Sequence, residues 1–449
     1  MEYPIFDVPL LGGSLLIAGV AVFHAFIAHF SVGAGFFVAL AERRAIREGD
    51  EATLAFLKKY ALLILLVPYV LGTVTGAGIW FTVALVSPRA ISVLIHQFVW
   101  DWATEWVLFL VEVVSIFLYF FTWGRVRQEV HNRIGWVFAI TSLATLVIIN
   151  AILSFMLTPG GWVPHAPGAV WKAILNPSYF PTTLIRALAA FALAGAGAVA
   201  LAAFVKGADD RVRERVVSLA YRMILPAILI FPLLGWGFAV LPERAQQVMM
   251  GAGPVMLIFG GFGAASLGIL WLAAALGAWR RDYTVSSVQA LATVLVAFVA
   301  YGAFEFVREG LRRPYIIEGF MYSTGVTTEA AAKLDRRGNI AQTRVEGVVA
   351  FCPWALPPGK AYAALDPLGK GEAVYRAACL RCHSVDGYNA VRPLVRSWSR
   401  ETIRHLLDRM HEVKLSMPPF PGTDAEKEAL ADYLVSLRKP PAGSKPAGD

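Results

Sequence analysis

The stretch IGWVFAITSLATLVIINAILSFML, residues 134–157, is a mainly apolar run without a charged side chain. A helix needs about 20 such residues to cross the hydrocarbon core of a lipid bilayer. Similar runs lie on both sides of this one, which predicts an all-α, polytopic bundle of about eight membrane-spanning helices. The runs lie near 12–41, 60–87, 94–122, 134–157, 182–205, 217–240, 249–278 and 285–308.

The composition agrees with a membrane protein. Of the 449 residues, 57% are hydrophobic and only 16% are charged, whereas a soluble domain carries about 25% charged residues. A net charge of +8 would suggest nucleic acid as a partner of a soluble protein. Most of the basic residues, however, lie in short loops between the apolar runs. We therefore expect this chain to contact membrane lipid and no nucleic acid.

Lysine and arginine are distributed unevenly among these loops. The loops after runs one, three, five and seven hold about fourteen of them, and the alternate loops hold about three. Because basic loops stay in the cytoplasm, the N-terminus is predicted outside, and eight spans return the C-terminus to the same side. The basic residues of the first set are Arg43, Arg44, Arg47, Lys58, Lys59, Arg125, Arg127, Arg133, Lys206, Arg211, Arg213, Arg215, Arg280 and Arg281.

The apolar excess ends near residue 315, which divides the chain into segments of different character. Residues 1–315 are predicted to form the membrane bundle, and residues 316–367 a linker with a proline-rich stretch. Cys352 stands alone in that linker and is expected to have no role. Residues 368–438 have the composition of a small soluble all-α domain. The tail, 439–449, is rich in Pro, Gly and Ser and is predicted to be disordered.

The small domain contains a C-x-x-C-H motif formed by Cys379, Cys382 and His383. In such a motif the two thiols form thioether bonds to haem, and the histidine is placed to bind the iron. Met417 lies in a proline-rich loop and is the predicted sixth ligand, because Met/His ligation is typical of cytochromes c. Met410 competes for that role but falls in a helical stretch, where we expect a core residue. A redox or zinc C-x-x-C site is the alternative.

Ionisable side chains within the apolar runs are candidate functional groups, because a charge inside a bilayer is costly. His24 suits an iron ligand or a hydrogen bond to a neighbouring helix, and its spacing leaves both open. Glu105 and Glu112 are seven residues apart and share a helix face. A proton path or a haem pocket would use such a pair, and structural pairing with an arginine is the alternative. Further such groups are Arg186, Glu305 and Glu309.

Several motifs, in order and spacing, resemble subunit I of the cytochrome bd oxygen reductases over most of the membrane segment. They are Phe23-His24 followed by Gly33, Gly35 and Ala41-Glu42; Gly72-Thr73-Val74-Thr75-Gly76; Phe109-Leu110-Val111-Glu112 followed by Trp123-Gly124-Arg125; Met156-Leu157-Thr158-Pro159; Leu175-Asn176-Pro177; and Arg308-Glu309-Gly310-Leu311-Arg312-Arg313-Pro314-Tyr315, which is similar to the family's Glu plus G-R-Q-P-W signature.

The resemblance implies roles for individual residues. His24 would be an axial ligand of a high-spin active-site haem, and Glu309 would be axial to the second haem of that site. Glu112 would be the active-site acid that guides protons, with Glu105 as a second candidate. Arg312 belongs to the signature after Glu309, and we expect it to bind a haem propionate.

Departures from the family pattern share one explanation. The histidine that binds the family's low-spin haem falls at Arg186, which cannot bind iron, while Met256 matches the partner ligand. The long quinol-binding loop is reduced to a stretch around 241–247, and the upper acid of the third helix falls at Thr104. The ninth helix is replaced by the C-x-x-C-H domain. We therefore predict loss of the quinol site and of a third, low-spin membrane haem, with Arg186 now holding a propionate.

The implied cofactors are haem c together with two haems b, or with one haem b and one haem d. The implied partners are a second membrane subunit resembling subunit II of the family and a soluble periplasmic donor such as cytochrome c. The chain would lie in a bacterial or archaeal cytoplasmic membrane. Its N-terminus and cytochrome c domain would face the periplasm.

The leading hypothesis is a cytochrome-c-dependent terminal oxidase of the bd type. Electrons would enter at the haem on Cys379 and Cys382 and reduce O2 to water at a haem pair held by His24 and Glu309. Nitric oxide is an alternative acceptor. A non-catalytic electron-transfer subunit is the second hypothesis, because of the change at Thr104, and carbon monoxide binding would separate the two. A quinol oxidase with an extra haem is a third, which the missing loop disfavours.

Overall fold

The computed structural model describes residues 3–205, 209–279, 285–333 and 338–438. Lys206, Arg280 and Arg281, which entered the orientation prediction, and the tail 439–449 lie outside the described residues. The helices are α1 (Gly12–Glu48), α2 (Glu51–Leu66), α3 (Gly72–Val86), α4 (Pro88–Gln97), α5 (Val99–Phe121), α6 (Gln128–Leu157), α7 (Ala169–Ile174), α8 (Tyr179–Phe204), α9 (Asp210–Ile224), α10 (Ile230–Ala239), α11 (Glu243–Gln247), α12 (Pro254–Trp279), α13 (Ser287–Arg312), α14 (Ile340–Glu346), α15 (Pro367–Ala378), α16 (Val391–Val395), α17 (Arg400–Asp408), α18 (Met410–Val413) and α19 (Asp424–Ser436). The strands β1 (Tyr315–Ile317) and β2 (Met321–Tyr322) pair antiparallel.

The described part of the chain contains eight helical rods that are long and apolar enough to cross a membrane, which confirms the prediction of eight spans. Two of these membrane-spanning helical segments change their helical geometry at a proline. A π-turn at Val67–Leu71 joins α2 to α3 and contains Pro68, and a 3-10 turn at Leu225–Leu229 joins α9 to α10 and contains Pro226. A proline supplies no N–H to the helical ladder, so the helix is interrupted there without ending.

One compact unit comprises Val20–Gly78 and Ile95–Leu311. Small residues let its helices approach closely. This is common in membranes, where the hydrophobic effect does not drive helices to associate and close packing does. A Cβ at Gly33 on α1 would lie 2.0 Å from the carbonyl oxygen of Ala190 on α8. A Cβ at Gly195 would lie 2.5 Å from the carbonyl oxygen of Ala220 on α9. Glycine is therefore required at both crossings.

The other unit comprises the residues up to Gly19, Ile79–Leu94 and the chain from Arg312 onward. Its two principal helices are α15 and α19, which cross where a Cβ at Gly371 would lie 2.1 Å from the carbonyl oxygen of Ala429. The described part of this domain contains helices and no strand after Tyr322, which agrees with the predicted all-α domain. A capping box formed by Thr423 and Glu426 begins α19.

The described residues of the segment predicted as a linker, 316–333 and 338–367, are folded. The segment contains the β1–β2 hairpin, α14 and short 3-10 turns. Val348 and Cys352 are completely buried in the core of the small domain. The carboxylate of Glu426 accepts hydrogen bonds from the N–H groups of Val348 and Val349 at 2.9 and 3.0 Å. Burial raises the pKa of the Cys352 thiol to about 11, which agrees with a structural cysteine.

Candidate functional site

The C-x-x-C-H motif begins where α15 ends. Cys379 caps this helix, with its N–H donating to the carbonyl of Tyr375 at 2.8 Å. The chain then turns tightly, because the N–H groups of Cys382 and His383 both donate to the carbonyl of Cys379 at 3.0 Å. Cys379 and Cys382 are free, half-buried thiols. The turn thus brings both thiols and the histidine together at one end of the helix.

His383 is oriented by its own loop. Its Nδ1–H donates to the carbonyl of Asn389 at 2.9 Å, and the Asn389 side chain donates to the carbonyl of Cys382 at 2.8 Å. This bond leaves Nε2 as the nitrogen available to a metal, as in most histidine–metal sites. Burial lowers the pKa of His383, which favours the neutral imidazole that binds iron.

The two methionines of the small domain have different surroundings. Met410 is buried in the core, as expected for a packing residue. Met417 packs against the edge of that core. It lies in a turn in which its own N–H donates to the carbonyl of Lys414 at 2.8 Å. Its role as the sixth ligand stays a prediction.

Arg381, between the two motif cysteines, was not among the residues predicted from the sequence. Its side chain is buried, and within the described chain its Nε and Nη1 atoms have no hydrogen-bond partner. Burial lowers its pKa to about 10. A buried cation of this kind requires an anionic partner, and haem carries two carboxylates. Two thiols, an oriented imidazole and this guanidinium therefore fit haem c.

His24 on α1 is held by the turn that opens α3. Its Nδ1–H donates to the carbonyl of Gly72 at 3.1 Å and lies 3.0 Å from the hydroxyl of Thr75. A Cβ at Gly76 would lie 3.0 Å from Cε1 of the imidazole, so glycine leaves room for the ring. The imidazole thus offers Nε2 to a metal, which fits the predicted iron ligand.

Glu112 on α5 is buried and surrounded by hydroxyl groups. Tyr69 and Ser142 each donate to its carboxylate at 3.0 Å, and Thr145 donates to the other oxygen. Ser31 donates in turn to the Tyr69 hydroxyl at 3.2 Å. The structure therefore gives Glu112 hydroxyl partners and not the arginine of the structural alternative. Hydroxyls that both donate and accept can pass a proton to and from a carboxylate.

The neighbouring positions of α5 differ from Glu112 in exposure. Glu105 is half-buried, so its proposed part in proton transfer stays a prediction. Thr104 is exposed in this chain, and its hydroxyl donates to the carbonyl of Trp100 at 2.8 Å.

Arg186 on α8 lies in a polar cluster with residues of α1 and α13. Its Nη2 donates to Glu305 at 2.6 Å, and its Nη1 lies 3.3 Å from His29 and 3.4 Å from the hydroxyl of Tyr301. Arg308 donates to the second oxygen of Glu305 at 2.8 Å. Glu305 thus already neutralises part of the Arg186 charge, and the predicted contact of Arg186 with a propionate remains untested.

The end of α13 carries the second predicted haem ligand. The Glu309 side chain is 33% exposed and has one oxygen 4.0 Å from Nη2 of Arg308. Nη1 of Arg308 is buried and has no hydrogen-bond partner among the described residues. Next to Glu309, a Cβ at Gly310 would lie 2.2 Å from the sulfur of Met256. A partly open carboxylate beside a half-buried cation fits a haem with its propionates.

Arg312 closes α13 and is buried, with Nη1 donating to the carbonyl of Ile316 at 3.0 Å. This bond ties the helix end to strand β1. Its predicted contact with a propionate stays a prediction.

A second buried polar cluster was missed by the sequence reasoning. Glu42 is 2% exposed and accepts hydrogen bonds from Tyr119 at 3.2 Å, from Asn132 at 3.0 Å and from Nδ1 of His131. Nε2 of His131 donates to the carbonyl of Tyr119 at 2.7 Å. Both Glu42 and His131 lie just outside the predicted apolar runs 12–41 and 134–157, where loop residues are expected to be solvated.

Comparison with known proteins agrees with both parts of the chain. Residues 15–253 match the family described as Cytochrome bd terminal oxidase subunit I. Residues 366–434 match the family described as Cytochrome C oxidase, cbb3-type, subunit III. No curated protein matches the sequence.

The fold is similar to that of a solved structure of bd oxidase from Geobacillus thermodenitrificans. The TM-score is 0.57 at 17% sequence identity, and the match covers 76% of this chain and 94% of that chain. At this identity the likeness concerns the fold alone. Because the subunit I match spans more than half of the residues, this chain belongs to the cytochrome bd terminal oxidase subunit I family and carries a C-terminal cytochrome c domain.

Proposed function

We propose that this protein is a cytochrome-c-dependent terminal oxidase of the bd type. It takes electrons from a soluble periplasmic donor through haem c and reduces O2 to water at a pair of haems in the membrane. The observation that carries the proposal is the fusion of a bd subunit I bundle to a C-x-x-C-H domain in one chain. The two families imply haem c in the small domain and bd-type haems in the bundle.

The residues of this chain would hold these groups as follows. Cys379 and Cys382 would bind haem c covalently, with His383 and Met417 as its iron ligands. His24 would bind the iron of one membrane haem and Glu309 the iron of the other. Haem iron, when bound, supplies the redox and oxygen-binding chemistry. We propose two haems b, or one haem b and one haem d, for the membrane part.

Glu112 would supply protons to the reduction of oxygen. Its carboxylate lies among three hydroxyl donors, and Ser31 extends the series beyond Tyr69. A carboxyl group in such surroundings takes a proton from one hydroxyl-bearing neighbour and releases it elsewhere without a large movement. Glu105, seven residues earlier on α5, would act at a more exposed point of the same path.

Electron entry through haem c, and not from a quinol, is supported by two features. The segment between α10 and α12 is short: it contains the helix α11, Glu243–Gln247, and a π-turn at Val248–Ala252, where the family has its long quinol loop. At the position of the family's low-spin haem ligand stands Arg186, which pairs with Glu305 at 2.6 Å. A guanidinium cannot bind iron, so a third membrane haem would lack this ligand.

Subunit I of this family usually pairs with a subunit II. We propose such a second membrane subunit here, and a bacterial or archaeal cytoplasmic membrane with the N-terminus and the cytochrome c domain in the periplasm. That side is also where positively charged loops are fewest.

One observation favours a second candidate, a haem subunit that transfers electrons without catalysis. Thr104, at the position of the family's upper acid, is exposed and bonds to its own helix backbone. If this acid is indispensable, the membrane haems would relay electrons to a partner. Nitric oxide is an alternative acceptor for an active site of the same kind.

The deciding experiment is oxygen uptake by the purified complex with a reduced c-type donor. The control is the double variant Cys379→Ser/Cys382→Ser, which cannot attach haem c. Rapid uptake that is lost in the control supports the oxidase. If donor electrons reduce every haem but no oxygen is consumed, and carbon monoxide does not bind the ferrous protein, the electron-transfer subunit replaces it. Nitric oxide consumption without oxygen uptake would indicate a nitric oxide reductase.

A further inference from the structure

The C-x-x-C-H motif is hydrogen-bonded to residues far outside the cytochrome c domain. Nη1 of Arg313 donates to the sulfur of Cys382 at 3.0 Å, and its Nη2 donates to the Ser14 hydroxyl at 3.3 Å. Ser14 itself donates to the carbonyl of Arg381 at 3.0 Å. These residues belong to the same compact unit. Two side chains from distant parts of the sequence thus contact the motif directly.

The positions of these residues in the chain are informative. Ser14 lies in the first turn of α1, the helix that carries His24. Arg313 immediately follows the last residue of α13, the helix that carries Glu309. The haem c motif therefore bonds to a residue at the start of the helix that carries His24 and to the residue directly after the helix that carries Glu309. Short covalent and hydrogen-bonded paths of this kind suit electron transfer.

Backbone contacts fix the same arrangement. The N–H of Tyr388 donates to the carbonyl of Leu10 at 2.7 Å. A Cβ at Gly387 would lie 1.9 Å from the same oxygen, so glycine is required for the approach. In the same unit, Nη1 of Arg89 donates to the carbonyls of Gly325 and Gly338 at 2.8 and 3.0 Å, which holds the segment that joins α13 to the domain. The contacts of the cytochrome c domain with Leu10, Ser14 and Arg313 leave it little freedom to swing on a tether.

The guanidinium of Arg313 also adds charge. It stands where the family signature G-R-Q-P-W has a neutral glutamine, next to a sulfur that becomes a thioether when haem is attached. A permanent positive charge beside the haem stabilises the reduced iron, whose net charge is lower. Hydrogen bonding and charge around the ligating groups are known means of setting a haem potential.

We propose that Arg313 and Ser14 hold the Cys382 edge of haem c at the start of α1 and the end of α13. Haem c is then a fixed internal electron relay, and Arg313 is the positioning residue that sets its reduction potential. The inference rests on the proposed function, because it takes haem c as the entry point. Each transfer moves one electron, oxidising the c-type iron from ferrous to ferric and reducing a membrane haem iron from ferric to ferrous. No bond is made or broken.

The test uses the full complex under anaerobic conditions, so that it does not depend on oxygen reduction. Two quantities are measured for Arg313→Gln: the midpoint potential of haem c by spectroelectrochemistry, and the rate of electron transfer from haem c to the membrane haems after flash reduction. We expect a lower potential and an internal rate that falls at least about tenfold. The rate at which a soluble donor reduces haem c should change little.

Two further variants separate the causes. Arg313→Lys keeps the charge but cannot donate to Cys382 and Ser14 at once. The midpoint potential of haem c should therefore stay near the original, while the rate of electron transfer to the membrane haems falls. Arg400→Gln removes an equal charge from the surface of the same domain, where Arg400 pairs with Asp432, and should change neither quantity. Haem c content, measured as pyridine haemochrome, shows whether each variant has assembled.

Viscosity distinguishes a fixed relay from a swinging domain. In a docked arrangement the internal rate should not depend on added glycerol, whereas a domain that must diffuse should slow in proportion to viscosity. Such slowing, or an Arg313→Gln variant with unchanged potential and internal rate, would overturn the proposal. Normal internal transfer without oxygen uptake would instead refute the proposed oxidase and leave the relay standing.

Discussion

Replacing Glu112 by glutamine tests the proton-transfer role most directly. Three hydroxyls donate to this carboxylate, from Tyr69, Ser142 and Thr145. An alanine would leave the hydroxyls of Tyr69 and Ser142 without this acceptor, whereas Thr145 also bonds to the carbonyl of Thr141 at 3.1 Å. Each buried hydroxyl without an acceptor costs about 1–3 kcal/mol, so Glu112→Ala would destabilise the bundle by about 2–6 kcal/mol. A loss of turnover in that variant could then come from unfolding as well as from the missing proton transfer.

Glutamine keeps the shape and one acceptor oxygen but cannot transfer a proton. Loss of a general acid–base group typically slows a reaction by about 10²–10⁴-fold, and we expect turnover of Glu112→Gln to fall by about 100-fold or more. Oxygen uptake is measured at saturating reduced donor, and carbon monoxide difference spectra confirm that the haems are present. The matched control, Glu105→Gln on the same helix face, lies at a half-buried position and should lose less.

A Glu112→Gln variant that retains more than half of the original turnover with its haems intact would exclude Glu112 from proton transfer. The same result in Glu105→Gln would remove both carboxylates from the proposed path. A loss of turnover accompanied by loss of haem would instead assign Glu112 a structural role.

Three further predictions follow from other parts of the molecule. His24→Ala should lose the carbon monoxide-binding high-spin haem while keeping haem c, and a spectrum with both haems intact would exclude His24 as a ligand. Arg186→Leu leaves the carboxylate of Glu305 with Arg308 as its partner, and we expect destabilisation of about 3–5 kcal/mol in thermal inactivation, offset in part in Arg186→Leu/Glu305→Leu, where Arg308 loses this partner; equal losses in both variants would contradict a buried pair. In the small domain, a hydrogen bond and the charge of Lys427 lower the pKa of Asp408 below its usual 3.8, so this pair stabilises the fold above pH about 4 and the contribution is lost as the pH falls through the lowered pKa. Asp408→Asn should therefore weaken the fall in the unfolding temperature of the cytochrome c domain at acid pH, followed through the haem c spectrum. An unchanged dependence of that temperature on pH would show that the pair contributes nothing.

The parts of the fold that could be predicted are those that depend on local properties of the sequence. A transmembrane helix is specified by the length and polarity of one continuous run, because every backbone group must be satisfied within the segment. The run 134–157 was accordingly found within α6, Gln128–Leu157. The C-x-x-C-H motif is equally local, since Cys379 and His383 are brought together by a single turn after α15.

The candidate site could be predicted only in part. His24, Glu112 and Glu309 were identified as costly ionisable groups and by resemblance to a family, but their partners were not. Arg186 was expected to hold a propionate, and in the structure its Nη2 donates at 2.6 Å to the carboxylate of Glu305, 119 residues away in sequence. Pairs at such separations leave no periodic signal in one sequence.

The amino-acid sequence sufficed for the number of spans, the covalent haem motif, the charge bias of the loops and the change of character near residue 315, because each is a property of neighbouring residues. Tertiary structure alone revealed that residues 316–333 and 338–367 are folded, that Glu42 and His131 share a buried cluster and that Arg313 donates to Cys382. Those features depend on which distant groups meet once water is excluded, and a buried polar group is stable only where the packing supplies its partner.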